Sequence, residues 1–139
     1  MKLIEIKTGK KLEGEIVGMR NIELKKFKKH KNFIFDWSIE SKNDIYKILL
    51  KDGDEILGIV SAIDIPEELR MHLNLLESSK KLRGKNKPIQ NIVGCLIGFV
   101  CQLSFKRGYE GFVSLLVPRN RSVTLVISNL IFRFIFQDV

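Results

Sequence analysis

The chain has 139 residues, of which 45% are hydrophobic, so it is long enough to form one domain, residues 1–139, around a substantial core. Its 24 lysines and arginines outnumber its 16 aspartates and glutamates, and the net charge of +8 favours anionic or phosphorylated partners without fixing a fold. Charges and glycines interrupt Met1–Arg20, which therefore lacks the pattern of a signal peptide, and we predict a cytoplasmic protein.

The first distinctive segment is RNIELKKFKKHK, residues 20–31, in which cations are interspersed with three apolar side chains. This pattern is compatible with a short amphipathic helix or with an exposed strand. A solvated basic face is the simpler interpretation, and a contact with nucleic acid through Lys25–Lys31 is the alternative.

The middle of the chain has the patterns of β-strands. The aromatic stretch Phe33–Trp37 is typical of a strand, and Asp44–Asp52 alternates apolar and polar residues at period two. A turn signal, DGD, follows and leads into the apolar run Glu55–Asp64. Alternation returns in Leu69–Glu77. We therefore predict an antiparallel meander of three or four strands.

An abrupt change from charged to apolar sequence lies in KKLRGKNKPIQNIVGCLIGFV, residues 80–100. Five of the eight residues from Lys80 to Lys87 are cationic, and the next charge after them is Lys106. Pro88 before the apolar run and Gly108 after it predict a helix over Asn91–Arg107. The run itself is shorter than the roughly 20 residues of a membrane span, so we expect a buried helix and no membrane contact.

The two cysteines, Cys95 and Cys101, lie within this helix, six residues apart. That spacing places them on nearly opposite sides, so we expect reduced core thiols and no internal disulfide. The chain has no CxxC or Cys/His spacing, and we predict no metal site.

The segment after the helix, Tyr109–Val117, is typical of a strand. A strand, a loop, a buried helix and a second strand form a βαβ crossover, so the two strands should be parallel. The basic loop and the free N–H groups of the helix N-terminus predict a phosphate site, with a solvated loop as the alternative. The absence of GxxxxGK[ST] and GxGxxG argues against a nucleoside triphosphatase and a dinucleotide dehydrogenase.

The order of these elements, with the stretches LLESSKKLRGK, NIVGCLIGFVCQLSF and GYEGFVSLLV, resembles the central part of a GNAT-superfamily N-acetyltransferase. The resemblance covers Asp44–Val117, about half of the chain. It implies an α/β fold, in which a long central helix packs on a mixed, mostly antiparallel twisted sheet. It also implies that acetyl-CoA is the co-substrate and that an amine of an unknown acceptor receives the acetyl group.

In this family a loop with the pattern [QR]-x-x-G-x-[GA] binds the pyrophosphate of coenzyme A through backbone amides. The positions that the resemblance assigns to coenzyme A are Leu76, Ser78, Arg83, Gly84, Lys85, Val93 and Gly94. The first two end the strand beside the pantetheine arm, the next three begin the loop, and the last two resemble its end. The connecting stretch KNKPIQNI is longer than the usual loop, and Ile92 stands where the pattern has its first glycine.

Glu77 ends the same strand, near the implied position of the thioester, and is a candidate for the base that accepts a proton from the amine. The simpler interpretation, and the alternative to a catalytic role, is a solvated strand-end glutamate. We expect His72, on the opposite face of the strand, to be structural. No His/Asp constellation is expected around Ser104, Ser114 or Ser122, so nucleophilic hydrolysis is not predicted.

The chain departs from the family after Val117. The family continues with a helix that often carries a tyrosine as proton donor to the thiolate, whereas Pro118–Val139 contains no tyrosine. A domain with impaired catalysis, or a non-catalytic acyl-CoA-binding module, is therefore the alternative to an active enzyme. The stretch SVTLVISNLIFRFIF is typical of a strand, and its apolar side chains predict a homo-oligomer through residues 123–136.

Overall fold

A computed structural model describes residues 2–82, 88–117, 121–128 and 131–138. The helices are α1 (Asn21–Leu24) and α2 (Ile92–Lys106). The strands are β1 (Lys2–Glu5), β2 (Lys11–Gly18), β3 (Asp44–Leu50), β4 (Gly58–Ile65), β5 (Arg70–Ser78), β6 (Ile89–Gln90), β7 (Val113–Val117), β8 (Arg121–Ser128) and β9 (Ile131–Asp138). The predicted mixed α/β fold, with a helix packed on a mostly antiparallel sheet, is confirmed.

The chain divides into two compact units, one of residues 1–61 and 76–96, the other of residues 62–75 and 97–139. In the first unit the strand order is β6-β1-β2-β3, followed by the first part of β4 and the end of β5. The ladders of β1 with β2 and β6, and of β2 with β3, are antiparallel. Gly14 of β2 leaves room for core residues, because a Cβ there would lie 3.2 Å from Leu3 and 3.4 Å from Ile48.

Between β2 and β3 lies a segment of α1 and two 3₁₀ turns, Lys25–Phe27 and Trp37–Glu40, which we call the helical insertion, residues 21–40. Phe27 stacks on His30 at a centroid distance of 4.6 Å and meets Phe33 edge-on at 5.6 Å. This aromatic cluster gives the insertion a small core of its own. Of the two conformations open for residues 20–31, the helix is the one that forms at Asn21–Leu24.

The predicted strand over Phe33–Trp37 is wrong. Most of the stretch has no regular structure, and Trp37 begins a 3₁₀ turn. The backbone N–H groups of Ile34 and Phe35 donate to the carboxylate of Glu77, at 2.7 and 3.3 Å. Donors that a strand would direct at a neighbouring strand are therefore taken up by a side chain.

The N-terminal turn of α2 packs against the start of β4. A Cβ at Gly58 would lie only 2.9 Å from Cγ2 of Ile92 and 3.1 Å from Cδ1 of Leu96. Glycine at this position thus permits close approach of helix and strand. The helix begins and ends within one residue of its predicted bounds.

In the second unit the strand order is β4-β5-β7-β8-β9. The ladder of β5 with β7 is parallel, with Met71, His72 and Leu73 opposite Val113, Ser114 and Leu115. This pairing confirms the prediction from the βαβ crossover. The tail forms two strands, because β8 pairs antiparallel with β7 and β9 with β8. The strand character expected of the tail is confirmed, and the homo-oligomer through residues 123–136 stays a prediction.

Polar contacts fix the end of α2 in the second unit. Oγ of Ser104 donates to the carbonyl of Phe112 at 2.9 Å. Arg107 and the hydroxyl of Tyr109 both donate to the carboxylate of Asp64 at 2.7 Å. The two cysteines of α2 are free thiols and buried. Among the described residues, no helix combines the length and apolar character that crossing a membrane would require.

Candidate functional site

The described residues that the sequence assigns to coenzyme A all lie in the first unit. Leu76 and Ser78 are half-buried near the end of β5. Val93 is exposed and Gly94 half-buried in the first turn of α2. The remaining three predicted residues, Arg83, Gly84 and Lys85, lie outside the residues that the structure describes.

Gly58 is the point at which the end of β5 and the first turn of α2 meet. Its Cβ position is 2.9 Å from Ile92 and also 3.3 Å from the carbonyl oxygen of Glu77. The predicted pantetheine positions on β5 and the predicted pyrophosphate positions on α2 therefore lie on elements that converge on one glycine. The connection between them carries the run of cations.

Glu77, the predicted base, is buried with 4% of its surface exposed. Its Oε2 accepts from the N–H of Ile34 at 2.7 Å, and its Oε1 accepts from the N–H of Phe35 at 3.3 Å and from the indole Nε1 of Trp37 at 3.0 Å. The alternative of a solvated glutamate is therefore wrong. A buried charge needs such donors, since an uncompensated one is strongly destabilising.

These contacts limit the chemistry that is open to Glu77. A proton taken from an amine would compete for oxygens that already accept three hydrogen bonds from the helical insertion. The role of Glu77 as base stays a prediction. These three hydrogen bonds show that it also has a structural role, which is to hold residues 34–37 of the insertion. Glu77 itself lies at the next-to-last position of β5.

Asn91, which the sequence reasoning did not single out, precedes α2 in a left-handed conformation with φ of 76°. Its Nδ2 donates to the carbonyl of Lys2 at 3.1 Å, and its own carbonyl accepts from the N–H of Cys95 at 3.0 Å. A Cβ at Gly94 would collide with Oδ1 of Asn91. The glycine thus leaves room for the Asn91 side chain, and an asparagine just before an apolar run is a local signal for the start of a helix.

A second polar cluster lies in the second unit, where the β5–β7 register places His72 opposite Ser114. The Nδ1 of His72 lies 2.9 Å from Oγ of Ser114, and Arg70 donates to the same Oγ. The Nε of Arg70 donates to Glu68 at 2.7 Å. The register thus brings a histidine to Ser114, and the other described side chain that contacts this hydroxyl is Arg70, not an aspartate.

This arrangement does not make Ser114 an evident nucleophile, because the residue is buried. Burial, and after it the positive charge of Arg70, lower the pKa of His72 below its ordinary value. A neutral imidazole can accept a hydrogen bond from the buried hydroxyl of Ser114, which satisfies both groups. These contacts agree with the structural role predicted for His72.

Two surface cavities are lined by described residues. One, of about 350 Å³, is in the first unit, and the other, of about 140 Å³, is in the second. The larger one is lined by His30, Lys31, Asn32, Asp54, Glu55, Ile56 and Lys81. The larger cavity is lined by Lys81, one of the cations of the loop, whereas neither cavity is lined by Leu76, Glu77, Ser78, Val93 or Gly94.

Within the described ranges, the His, Cys, Asp and Glu side chains form no group of three that could hold a metal ion. Comparisons of the chain with protein-family models, with curated proteins and with solved structures found no match.

Proposed function

We propose that the chain is an acetyl-CoA-dependent N-acetyltransferase with a GNAT-like fold, in which α2 is the long central helix. One observation carries this proposal. In a sheet whose other described ladders are antiparallel, β5 and β7 are parallel and α2 lies between them in sequence. The family that the sequence resembles places its cofactor at such a parallel pair, at the end of the first strand and the start of the helix.

The residues at those two places fit a thioester of coenzyme A. The end of β5, with Leu76 and Ser78, offers an extended backbone to the amide groups of a pantetheine arm. The start of α2, with Val93 and Gly94, offers the positive end of a helix dipole to the pyrophosphate. The intervening cations would attract a ligand with several negative charges.

The reaction then needs little covalent help from the protein. The amine nitrogen attacks the acetyl carbonyl, a C–N bond forms, and the C–S bond breaks to release coenzyme A as a thiol. A backbone N–H at the end of β5 would polarise the carbonyl, and Glu77, directly or through water, would accept the amine proton. Because the tail has no tyrosine, the thiolate would take its proton from another donor or from water.

Calorimetric titration with acetyl-CoA, and with desulfo-CoA as a non-reacting analogue, tests this function. We expect binding that weakens as salt is raised, because long-range attraction by the loop cations is screened. A loop variant should weaken binding at least about tenfold, since phosphate contacts by cations contribute directly to affinity. That variant replaces four lysines of the loop by serine: Lys80, Lys81, Lys85 and Lys87.

A matched control has the same loss of charge at a distance in sequence from the loop. It replaces by serine four exposed lysines: Lys7, Lys10, Lys11 and Lys51. We expect it to bind acetyl-CoA almost as tightly as the parent. Equal affinity in both variants, or no acetyl-CoA binding by the parent chain, would contradict the proposed cofactor site.

A further inference from the structure

The helical insertion, residues 21–40, exposes large aliphatic side chains. Ile39 is 73% exposed, Ile22 is 70% exposed and Ile34 is 65% exposed, which makes them the three most exposed large hydrophobic residues that the structure describes. Phe35, next to Ile34, is 46% exposed. Single exposed apolar residues are ordinary, but four within about twenty residues are an unusual density for one segment.

The same insertion carries a dense group of cations. Its exposed lysines are Lys25, Lys26, Lys28, Lys29 and Lys31. None of the five takes part in an ion pair with another residue that the structure describes. Their charge is therefore directed at solvent or at a partner.

The acidic residues of the insertion offset little of this charge at the surface. Glu23 pairs with Lys47 of β3. The carboxylate of Asp36 accepts from the N–H of Ser38 at 3.0 Å, and Glu40 is buried. The surface of the insertion is consequently both apolar and cationic.

Two of the four exposed apolar residues, Ile34 and Phe35, are held in place. The N–H groups of Ile34 and Phe35 are fixed by the buried carboxylate of Glu77, and the aromatic cluster around Phe27 supports the turn before them. A segment fixed in this way loses little conformational freedom when it meets a partner, which favours binding.

We infer that the helical insertion is a docking surface for an anionic lipid bilayer. The lysines lie against the phosphate and carboxylate groups of the lipid heads, while Ile22, Ile34, Phe35 and Ile39 enter the boundary between heads and acyl chains. The expectation from sequence was that the chain makes no membrane contact, and this inference departs from it. It does not depend on the proposed acetyl transfer.

Nucleic acid is the other polyanion to consider, and the observations favour it less. Bases stack on exposed aromatic rings, and among the phenylalanines and the tryptophan of the insertion Phe27, Phe33 and Trp37 are buried, which leaves Phe35 as a single partly exposed ring. Exposed isoleucines gain nothing from a phosphate backbone, but they gain free energy by leaving water for a lipid boundary.

Co-sedimentation of the full chain with vesicles tests the inference. We expect binding to vesicles of phosphatidylcholine mixed with phosphatidylserine, little binding to phosphatidylcholine alone, and weaker binding at high salt. An apolar variant, Ile22→Ser with Ile39→Ser, and a charge variant should each lower the apparent affinity at least about tenfold. The charge variant replaces by serine Lys25, Lys26, Lys28 and Lys29.

Two controls match these variants. Leu69→Ser with Phe105→Ser removes two exposed apolar residues of the other unit. The second control is the serine variant of Lys7, Lys10, Lys11 and Lys51. Both controls should bind vesicles as tightly as the parent. Circular dichroism shows whether each variant is folded, and acetyl-CoA titration shows whether its proposed cofactor site is intact.

Several outcomes would overturn the inference. These are no binding to the anionic vesicles, equal binding to both kinds of vesicle, or an equal loss in variants and controls. A further one is tighter binding of single-stranded RNA than of vesicles, abolished in the charge variant and unchanged in the apolar variant, which would assign the surface to nucleic acid.

Discussion

The carboxylate of Glu77 accepts a hydrogen bond from the indole Nε1 of Trp37 at 3.0 Å, and both side chains are buried. The two residues are 40 positions apart in sequence. One carboxylate at the end of β5 thus fixes the segment that connects β2 to β3. Loss of either partner leaves the other buried and less well satisfied.

Glu77→Gln should destabilise the fold by about 2–4 kcal/mol, since the amide replaces an acceptor oxygen by a donor that faces other donors. Trp37→Phe, which removes the indole N–H along with part of the ring, should cost about 1–3 kcal/mol. Urea unfolding of both variants and of the double variant measures this, and the double variant should lose less than the sum. An unchanged midpoint for Glu77→Gln would show that the carboxylate does not hold the insertion.

The same two variants separate catalysis from structure. If Glu77 is the base, Glu77→Gln should lower the acetylation rate far more than the affinity for acetyl-CoA, and the deficit should shrink at alkaline pH as the amine deprotonates without help. Trp37→Phe loosens the same contact but keeps the carboxylate, so its rate should stay near that of the parent. Equal rate losses in the two variants would mean that Glu77 affects the rate only by holding the helical insertion in place, and not as a base.

Gly58→Ala should destabilise the first unit by about 1–3 kcal/mol, because the new methyl group would overlap Cγ2 of Ile92. Ile92→Ala removes that atom, so the two substitutions together should cost less than their sum. Gly18→Ala is the control, since nothing lies within 4 Å of its Cβ position. Thermal unfolding distinguishes the variants, and strict additivity would place Gly58 and Ile92 out of contact.

The lowered pKa of His72 predicts a loss of stability toward acid pH. Burial and the charge of Arg70 keep the folded imidazole neutral at pH values where the unfolded chain takes up a proton. The free energy of unfolding should therefore fall as pH drops below the ordinary value of 6.5, and the loss should level off below the lowered pKa. Urea unfolding across this range should show a shallower pH dependence for His72→Gln, and an identical profile would contradict the assignment.

Local patterns predict much of this fold. Alternation places β3 and β5 within two residues of their ends, and the helix within the long connection between β5 and β7 indicates a parallel pair. No strand is predicted in residues 2–18, because glycines and charges weaken the alternation of β1 and β2. Those strands form because β1 pairs with β2 and β6, and β2 pairs with β3. Such pairing depends on tertiary structure and is not contained in the local pattern.

The missed features of the candidate site share one cause, which is distance in sequence. The aromatic stretch at Phe33–Trp37 has strand propensity, but the carboxylate of Glu77 captures its donors. The pair of His72 and Ser114 depends on a register between strands that a local pattern does not contain. Asn91, by contrast, is a local signal and was open to prediction from the helix start that follows it.

The bonds from Ile34 and Phe35 to Glu77 have a consequence for hydrogen exchange. An exposed connection ordinarily exchanges its amide hydrogens almost freely, but these two can exchange only when the carboxylate releases them. We therefore expect these two amides to exchange together, in an opening that breaks both of their bonds to Glu77. The exchange rates of these two backbone amides would then report how often the Glu77 carboxylate, at the end of β5, releases the insertion.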